Sequence, residues 1–238
     1  IASSRTLAVR RKRVEASAAE AAAKLVLPTT DLAAVRSCAW VIETVREDPE
    51  IKRQVLRSLA PHCAPEALVA SNTSALRVSD LAAAAPDPAR FLGLHFMNPA
   101  PVVNLVELVR GPQTSAEALD AARAFCARLG KQIVEPADAN GFVVNRLLML
   151  LLNETARMIE EGVATPADID KALKLACGHP MGPAALADFI GLDTVCAELR
   201  TLARGLGDRY APAALLEKLV AEGKTGGKGG GLLRAGRG

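Results

Sequence analysis

The sequence predicts an α/β fold in which alternating strands and helices give way to an all-helical second half. Three observations carry this expectation. Short apolar runs bounded by turn residues recur at 40–45, 67–70, 91–94, 105–109 and 132–134, with helix-start signals between several of them. From Gly141 onward the apolar residues repeat at helical spacing instead. Polar residues stand at the ends of neighbouring runs, the edge where α/β proteins place their ligands.

The 238 residues are enough for one large domain or two modest ones with an ample core. Half of them are apolar but only 3% aromatic, so that core must be built from Ala, Leu and Val. A net charge of +3 argues against a dedicated nucleic-acid binder. The five cysteines (Cys38, Cys63, Cys126, Cys177 and Cys196) are scattered and never in a Cys-x-x-Cys pair. They read as reduced thiols of a cytoplasmic protein, not as a disulfide framework or a metal site. The longest apolar run, 147–152, is far short of the roughly 18 residues of a membrane span. No apolar segment of the signal-peptide kind follows the first basic residues.

In chain order, residues 5–24 are rich in good helix formers and predict one exposed helix. Its basic cluster Arg10, Arg11, Lys12 and Arg13 reads as a solvated face or as a phosphate contact, the former being favoured. Residues 25–27 suggest a short strand ended by Pro28, and 40–45 a better one. Asp48 followed by Pro49 caps a helix running to Leu59. After the strand at 67–70, Ser79 and Asp80 open a short Ala-rich helix that Pro86 ends. Thr114 and Glu117 have the spacing of a capping box for a helix to Leu129, stopped by Gly130.

Strand–helix alternation ends after 132–134, which puts a domain boundary near 138: residues 1–138 form the sheet domain and 139–238 a helical one. The second domain opens with a long helix over 142–161, apolar on more sides than one core face requires, as in a homodimer interface. Thr165 and Pro166 start the next helix, ended by Gly178 and Pro180. Further helices start at Pro183 and Asp193. His179 reads as a turn residue. The tail holds Gly223-Lys224-Thr225, but a phosphate loop needs a glycine where Lys218 stands, and a strand before it.

The chemistry-bearing residues cluster at 71–110. SNTS (71–74) follows one apolar run, HFMNP (95–99) a second, and Glu107 lies inside a third. Ser74, His95 and Asn98 are therefore expected at one rim of the sheet, with Glu107 reaching the imidazole from the next strand. A carboxylate beside a histidine fixes its tautomer and stabilises the imidazolium, which makes a general base of it. Spacing alone leaves a second reading open: a hydrogen-bonded strand-end histidine and a solvated edge glutamate.

These motifs, with GFVVNR (141–146) and HPMGPAALADFIGLD (179–193), resemble the L-3-hydroxyacyl-CoA dehydrogenases in order and gaps over about 31–219. Ser74 to His95 is 21 positions, His95 to Glu107 is 12, and His95 to Asn145 is 50. The resemblance implies an incomplete Rossmann-like doubly wound sheet followed by an all-α carboxy-terminal domain that binds substrate and dimerises. It implies oxidation of the 3-hydroxyl of an acyl-CoA with NAD, His95 acting as base and Glu107 orienting it. It further implies that Ser74 and Asn145 bind substrate oxygens, while Glu47, Lys52, Ser74 and Asn98 lie along the nicotinamide half of NAD. On the less favoured phosphate reading, the basic cluster at 10–13 would meet the 3′-phospho-ADP of coenzyme A.

The same resemblance implies a βαβ unit carrying Gly-x-Gly-x-x-Gly, and no such loop lies between a strand and a helix here, so the sequence is expected to begin after it. The tail also lacks the family's closing Phe-Tyr pair. Two rivals stand beside the dehydrogenase: a same-fold enzyme acting on a sugar acid or other hydroxy acid, and an inactive binding or dimerisation module.

Overall fold

The computed structural model describes Val9 and residues 15–235; the basic cluster at 10–13 lies outside the described residues. A helix, α1 (Ala16–Lys24), leads through a 3-10 helix (Leu32–Ser37) capped by Asp31 to β1 (Trp40–Glu43). Then follow α2 (Pro49–Leu59), β2 (Leu68–Ser71), the short α3 (Ser79–Ala82), β3 (Phe91–Phe96) and β4 (Leu105–Arg110). The helix α4 (Ala116–Arg128) and strand β5 (Gln132–Val134) close this half.

The described strands form one sheet in the order β1-β2-β3-β4-β5. β1, β2 and β3 run parallel, β4 turns antiparallel to β3, and β5 runs parallel to β4. Successive side chains alternate across the sheet. Val69, Phe91 and Val109 face one layer with Leu56 of α2 and Leu81 of α3. Leu68, Ala70, Leu92, Leu94, Val106 and Leu108 face the other with Ala118, Leu119 and Ala122 of α4. Burial on both faces explains why these strands read as continuous apolar runs rather than alternating ones.

The helical half comprises α5 (Val144–Glu160), α6 (Pro166–Cys177), α7 (Pro183–Ile190), α8 (Leu192–Leu206), α9 (Ala214–Ala221) and α10 (Leu232–Ala235). Its core joins Met149, Leu152 and Ala156 of α5 to Val195, Leu199 and Leu202 of α8 and Leu216 of α9. Carboxylates from other elements satisfy helix N-termini: Asp170 accepts from Ala184 and Ala185 N–H, and Asp188 from Leu232 and Leu233 N–H. The connection between the halves is clamped the same way. Asp138 accepts from the amides of Val78 and Ser79 at 2.6 and 2.9 Å, and Asn140 Nδ2 donates to the Ala75 carbonyl at 3.0 Å.

Three local expectations are corrected. No single helix runs over 5–24: Glu15 is extended, with φ −65° and ψ 145°, and α1 starts at Ala16. Residues 25–27 form no strand: Leu25 and Leu27 are more than 80% exposed, and neither has a neighbouring strand to pair with. The cap of α4 is Ser115, not Thr114. Ser115 Oγ accepts from Ala118 N–H, while Thr114 Oγ1 is spent between the Gly111 amide and the Phe91 carbonyl. Elsewhere Asp48 and Thr165 cap their helices as the sequence leads one to expect. All five cysteines are free.

Candidate active site

His95 and Glu107 are facing residues in the antiparallel β3–β4 pair. Facing side chains in such a pair stand about 5 Å apart at Cβ, within reach of one another. Here His95 Nδ1 lies 2.7 Å from Glu107 Oε2, with His95 4% exposed and Glu107 fully buried. Burial pushes the Glu107 carboxyl up, but the His95 hydrogen bond and the Val144 and Val143 amides outweigh it and hold the group below the usual carboxylate range. An ionised carboxylate only accepts, so Nδ1 carries the proton and Nε2 keeps its lone pair. The pair can therefore take up a proton at Nε2 and stabilise the resulting imidazolium.

Glu107 has a second task. Its Oε1 accepts from Val143 and Val144 N–H at 2.9 and 3.0 Å, at the start of α5. The amides point inward because Gly141 and Phe142 both adopt left-handed backbone, with φ of +73° and +46°. That conformation is ordinary for glycine and costs a buried phenylalanine roughly 1–3 kcal/mol. Phe142 packs its ring beside His95, with centroids 6.0 Å apart.

The SNTS turn beyond β2 is built mainly for support. Ser71 Oγ donates to Glu43 Oε2 at 2.6 Å, and Asn72 Oδ1 accepts from Phe96 N–H at 2.8 Å, one residue past His95. Thr73 Oγ1 donates to Glu47 Oε1 and accepts from Leu76 N–H. Glu47 Oε1 also accepts the amides of Ser74 and Ala75 at 3.0 and 2.9 Å. The Ser74 hydroxyl alone in this turn has no partner among the described residues.

Behind Glu47 stands Lys52, fully buried. Its Nζ reaches Glu43 at 3.0 Å, Glu47 at 3.3 Å and the Val45 carbonyl at 3.1 Å. The ammonium thus neutralises two carboxylates and has no surface of its own. Asn98 lies just past β3 and is exposed. The half-buried Ser74 hydroxyl and the exposed Asn98 amide have no side-chain partner among the described residues and are open to a polar ligand. Lys52 can serve such a ligand only by holding Glu47.

Asn145, on the first turn of α5, is 8% exposed, and its Nδ2 donates to Glu198 Oε2 on α8 at 2.7 Å. Sequence reasoning passed over Glu198, Glu43 and Ser71. The one sign of Glu198 was its place three residues after Val195 and four before Leu202, both fully buried in the apolar stripe of α8. Glu43 gave none, since it ends an apolar run as any surface residue might.

Comparison with known proteins bears on what this arrangement does. A family described as 3-hydroxyacyl-CoA dehydrogenase, NAD binding domain, matches residues 1–139, and the 3-hydroxyacyl-CoA dehydrogenase C-terminal domain matches 141–233. A probable 3-hydroxybutyryl-CoA dehydrogenase of Deinococcus radiodurans is 46% identical over 203 residues, covering 85% of this chain and 73% of that one. The 3-hydroxybutyryl-CoA dehydrogenase of Bradyrhizobium diazoefficiens is 43% identical over 221 residues, covering 92% and 75%. Among solved structures, the (S)-3-hydroxybutyryl-CoA dehydrogenase PaaH1 of Ralstonia eutropha superimposes with a TM-score of 0.88 at 37% identity, covering 98% of this chain and 82% of that one.

Proposed function

Since the chain belongs to the 3-hydroxyacyl-CoA dehydrogenase family, we propose that its site oxidises the 3-hydroxyl of a (3S)-3-hydroxyacyl-CoA to the 3-oxo thioester. The observation that carries this reading is the buried His95–Glu107 pair, 2.7 Å apart. NAD, when bound, supplies the acceptor for the hydride of C3. His95 Nε2 removes the proton of the 3-hydroxyl, and Glu107 holds the ring in that tautomer and balances its charge. Ser74 Oγ and an Asn145 N–H hydrogen-bond the substrate oxygens, which fixes the substrate without moving protons. Ser74, Asn98 and Glu47 line the nicotinamide half of the cofactor site, and Lys52 acts through Glu47.

We assign the two halves to separate roles: 1–138 to the nucleotide and the base, 139–238 to substrate and to association in a homodimer. Support for the dimer comes from α5, where Leu147 is 66% exposed and shares a face with the half-buried Leu151 and Met158. No helix among the described residues is long and apolar enough to cross a membrane, and we read the protein as cytoplasmic.

Thermal shift of residues 1–238 tests the substrate class. Ligand that binds only the native state raises the melting temperature. A rise with acetoacetyl-CoA and none with free acetoacetate is expected. A rise with the free acid and none with the thioester would overturn the reading in favour of a hydroxy-acid enzyme.

A further inference from the structure

The Asn145 amide has a donor end and an acceptor end, and only one of them suits a substrate oxygen that must be held by an N–H. Glu198 touches that amide directly, 2.7 Å from Nδ2. It lines a cleft of about 580 Å³ between the β1–α2 connection and α8. We propose that Glu198 is the positioning residue for Asn145: its carboxylate takes one Nδ2 hydrogen, fixes the amide the right way round, and leaves the second hydrogen for the substrate oxygen. This rests on the reading of Asn145 as a substrate-binding residue.

The surroundings make this hold sensitive to pH. Arg46, Glu47 and Asp48 face the cleft from the β1–α2 connection, and Asp193, Arg200 and Arg204 face it from α8 itself. The cations are turned to other partners. Arg200 pairs with Glu217 at 2.8 Å, Arg204 donates from Nε to the Arg200 carbonyl, and Arg46 and Arg204 lie near enough to Asp48 to favour its charge. Burial, and after it the charge of Glu47, raises the Glu198 carboxyl to about 7. An ionised carboxylate only accepts, so it admits one orientation of the Asn145 amide. Once protonated, its O–H can donate to Oδ1, and the amide is free to reverse. Asn145 should therefore be ordered for substrate above neutrality and lose that order below it.

Two measurements on residues 1–238 test the proposal. In the first, acetoacetyl-CoA is titrated calorimetrically well below and well above pH 7. The wild type should tighten as pH rises through about 7. Glu198→Gln, whose amide can donate as well as accept and cannot ionise, mimics the protonated form: it should bind with no such inflection and keep the weaker, low-pH affinity throughout. Glu198→Ala should bind about tenfold more weakly than wild type above neutrality, the usual loss for a hydrogen bond to a charged group. In the second, the side-chain amide resonances of Asn145, assigned through Asn145→Asp, are followed by NMR against pH without ligand. They should titrate near neutrality in the wild type and stay flat in Glu198→Gln. An inflection retained in Glu198→Gln, or wild-type affinity in Glu198→Ala above pH 7, overturns the proposal. Failure of every variant and of the wild type to bind the thioester would instead overturn the substrate reading, and the amide titration would still decide the role of Glu198.

Discussion

His95 and Glu107 occupy facing positions of one antiparallel strand pair, so the sheet's own register brings base and carboxylate to 2.7 Å. Loops move more readily than paired strands. A dyad seated on two hydrogen-bonded strands is held by the backbone before its side chains contribute.

His95→Gln and Glu107→Gln should each remove most turnover of (S)-3-hydroxybutyryl-CoA, measured as NADH formation. The His95 loss should reach about 10² to 10⁴ or more, the range of general acid–base catalysis. If Glu107 works only through His95, the double variant should be scarcely slower than His95→Gln alone. Losses that multiply would mean that the two act independently.

Lys52→Met should destabilise the fold by roughly 3 kcal/mol or more, because it strips the cation from the buried Glu43 and the adjoining Glu47. At this chain length that is a fall in Tm of the order of 10 °C. An unchanged Tm would show that the cluster is satisfied without its ammonium.

Glu198 gives the stability curve a slope of known sign. Its carboxyl is raised from an ordinary 4.5 to about 7, so the folded state binds the proton more tightly than the unfolded chain. The stability this confers is complete below about 4.5 and disappears as pH rises through about 7. Glu198→Gln, with no charge to bury, should be more stable than wild type above pH 7 by about 1–2 kcal/mol after solvent screening, and the gap should close toward acid pH. Denaturant titrations at several pH values check this, and a gap that widens on acidification would contradict it.

Sedimentation should find a dimer at micromolar concentration, converted to monomer by Leu147→Glu. Leu147, Leu151 and Met158 share one narrow stripe along about three turns of α5, with the exposed Glu154 among them. A wild type that sediments only as monomer would mean that this stripe is ordinary surface.

What the sequence disclosed follows from the kind of interaction involved. Helix caps such as Asp48 and Thr165 act within four residues, so their partners can be read from the string. Thr114 misled because two cap-forming residues are adjacent and Ser115 sits one place closer to the helix. The nearness of His95 to Glu107 was readable because two apolar runs separated by a single connection tend to pair. The antiparallel turn of β4 was not readable, since direction depends on how residues 97–104 return the chain. Lys52 looked available to a ligand, and its burial appears only once Glu43 and Glu47 are brought around it. Glu198 was hidden for the same reason: its partner Asn145 is 53 positions away on another helix.

The two oxygens of Glu107 serve different halves of the molecule, one holding His95 on the sheet and the other the first amides of α5. The orienting group of the base is therefore completed only when the helical half is in place. A chain severed at 138–141 would leave the sheet with a histidine beside a carboxylate that has lost two of its three donors. Mixing the separated pieces should re-form the bonds from the Val143 and Val144 amides to Glu107 only as they reassociate, so the dyad's surroundings report on how the halves are joined.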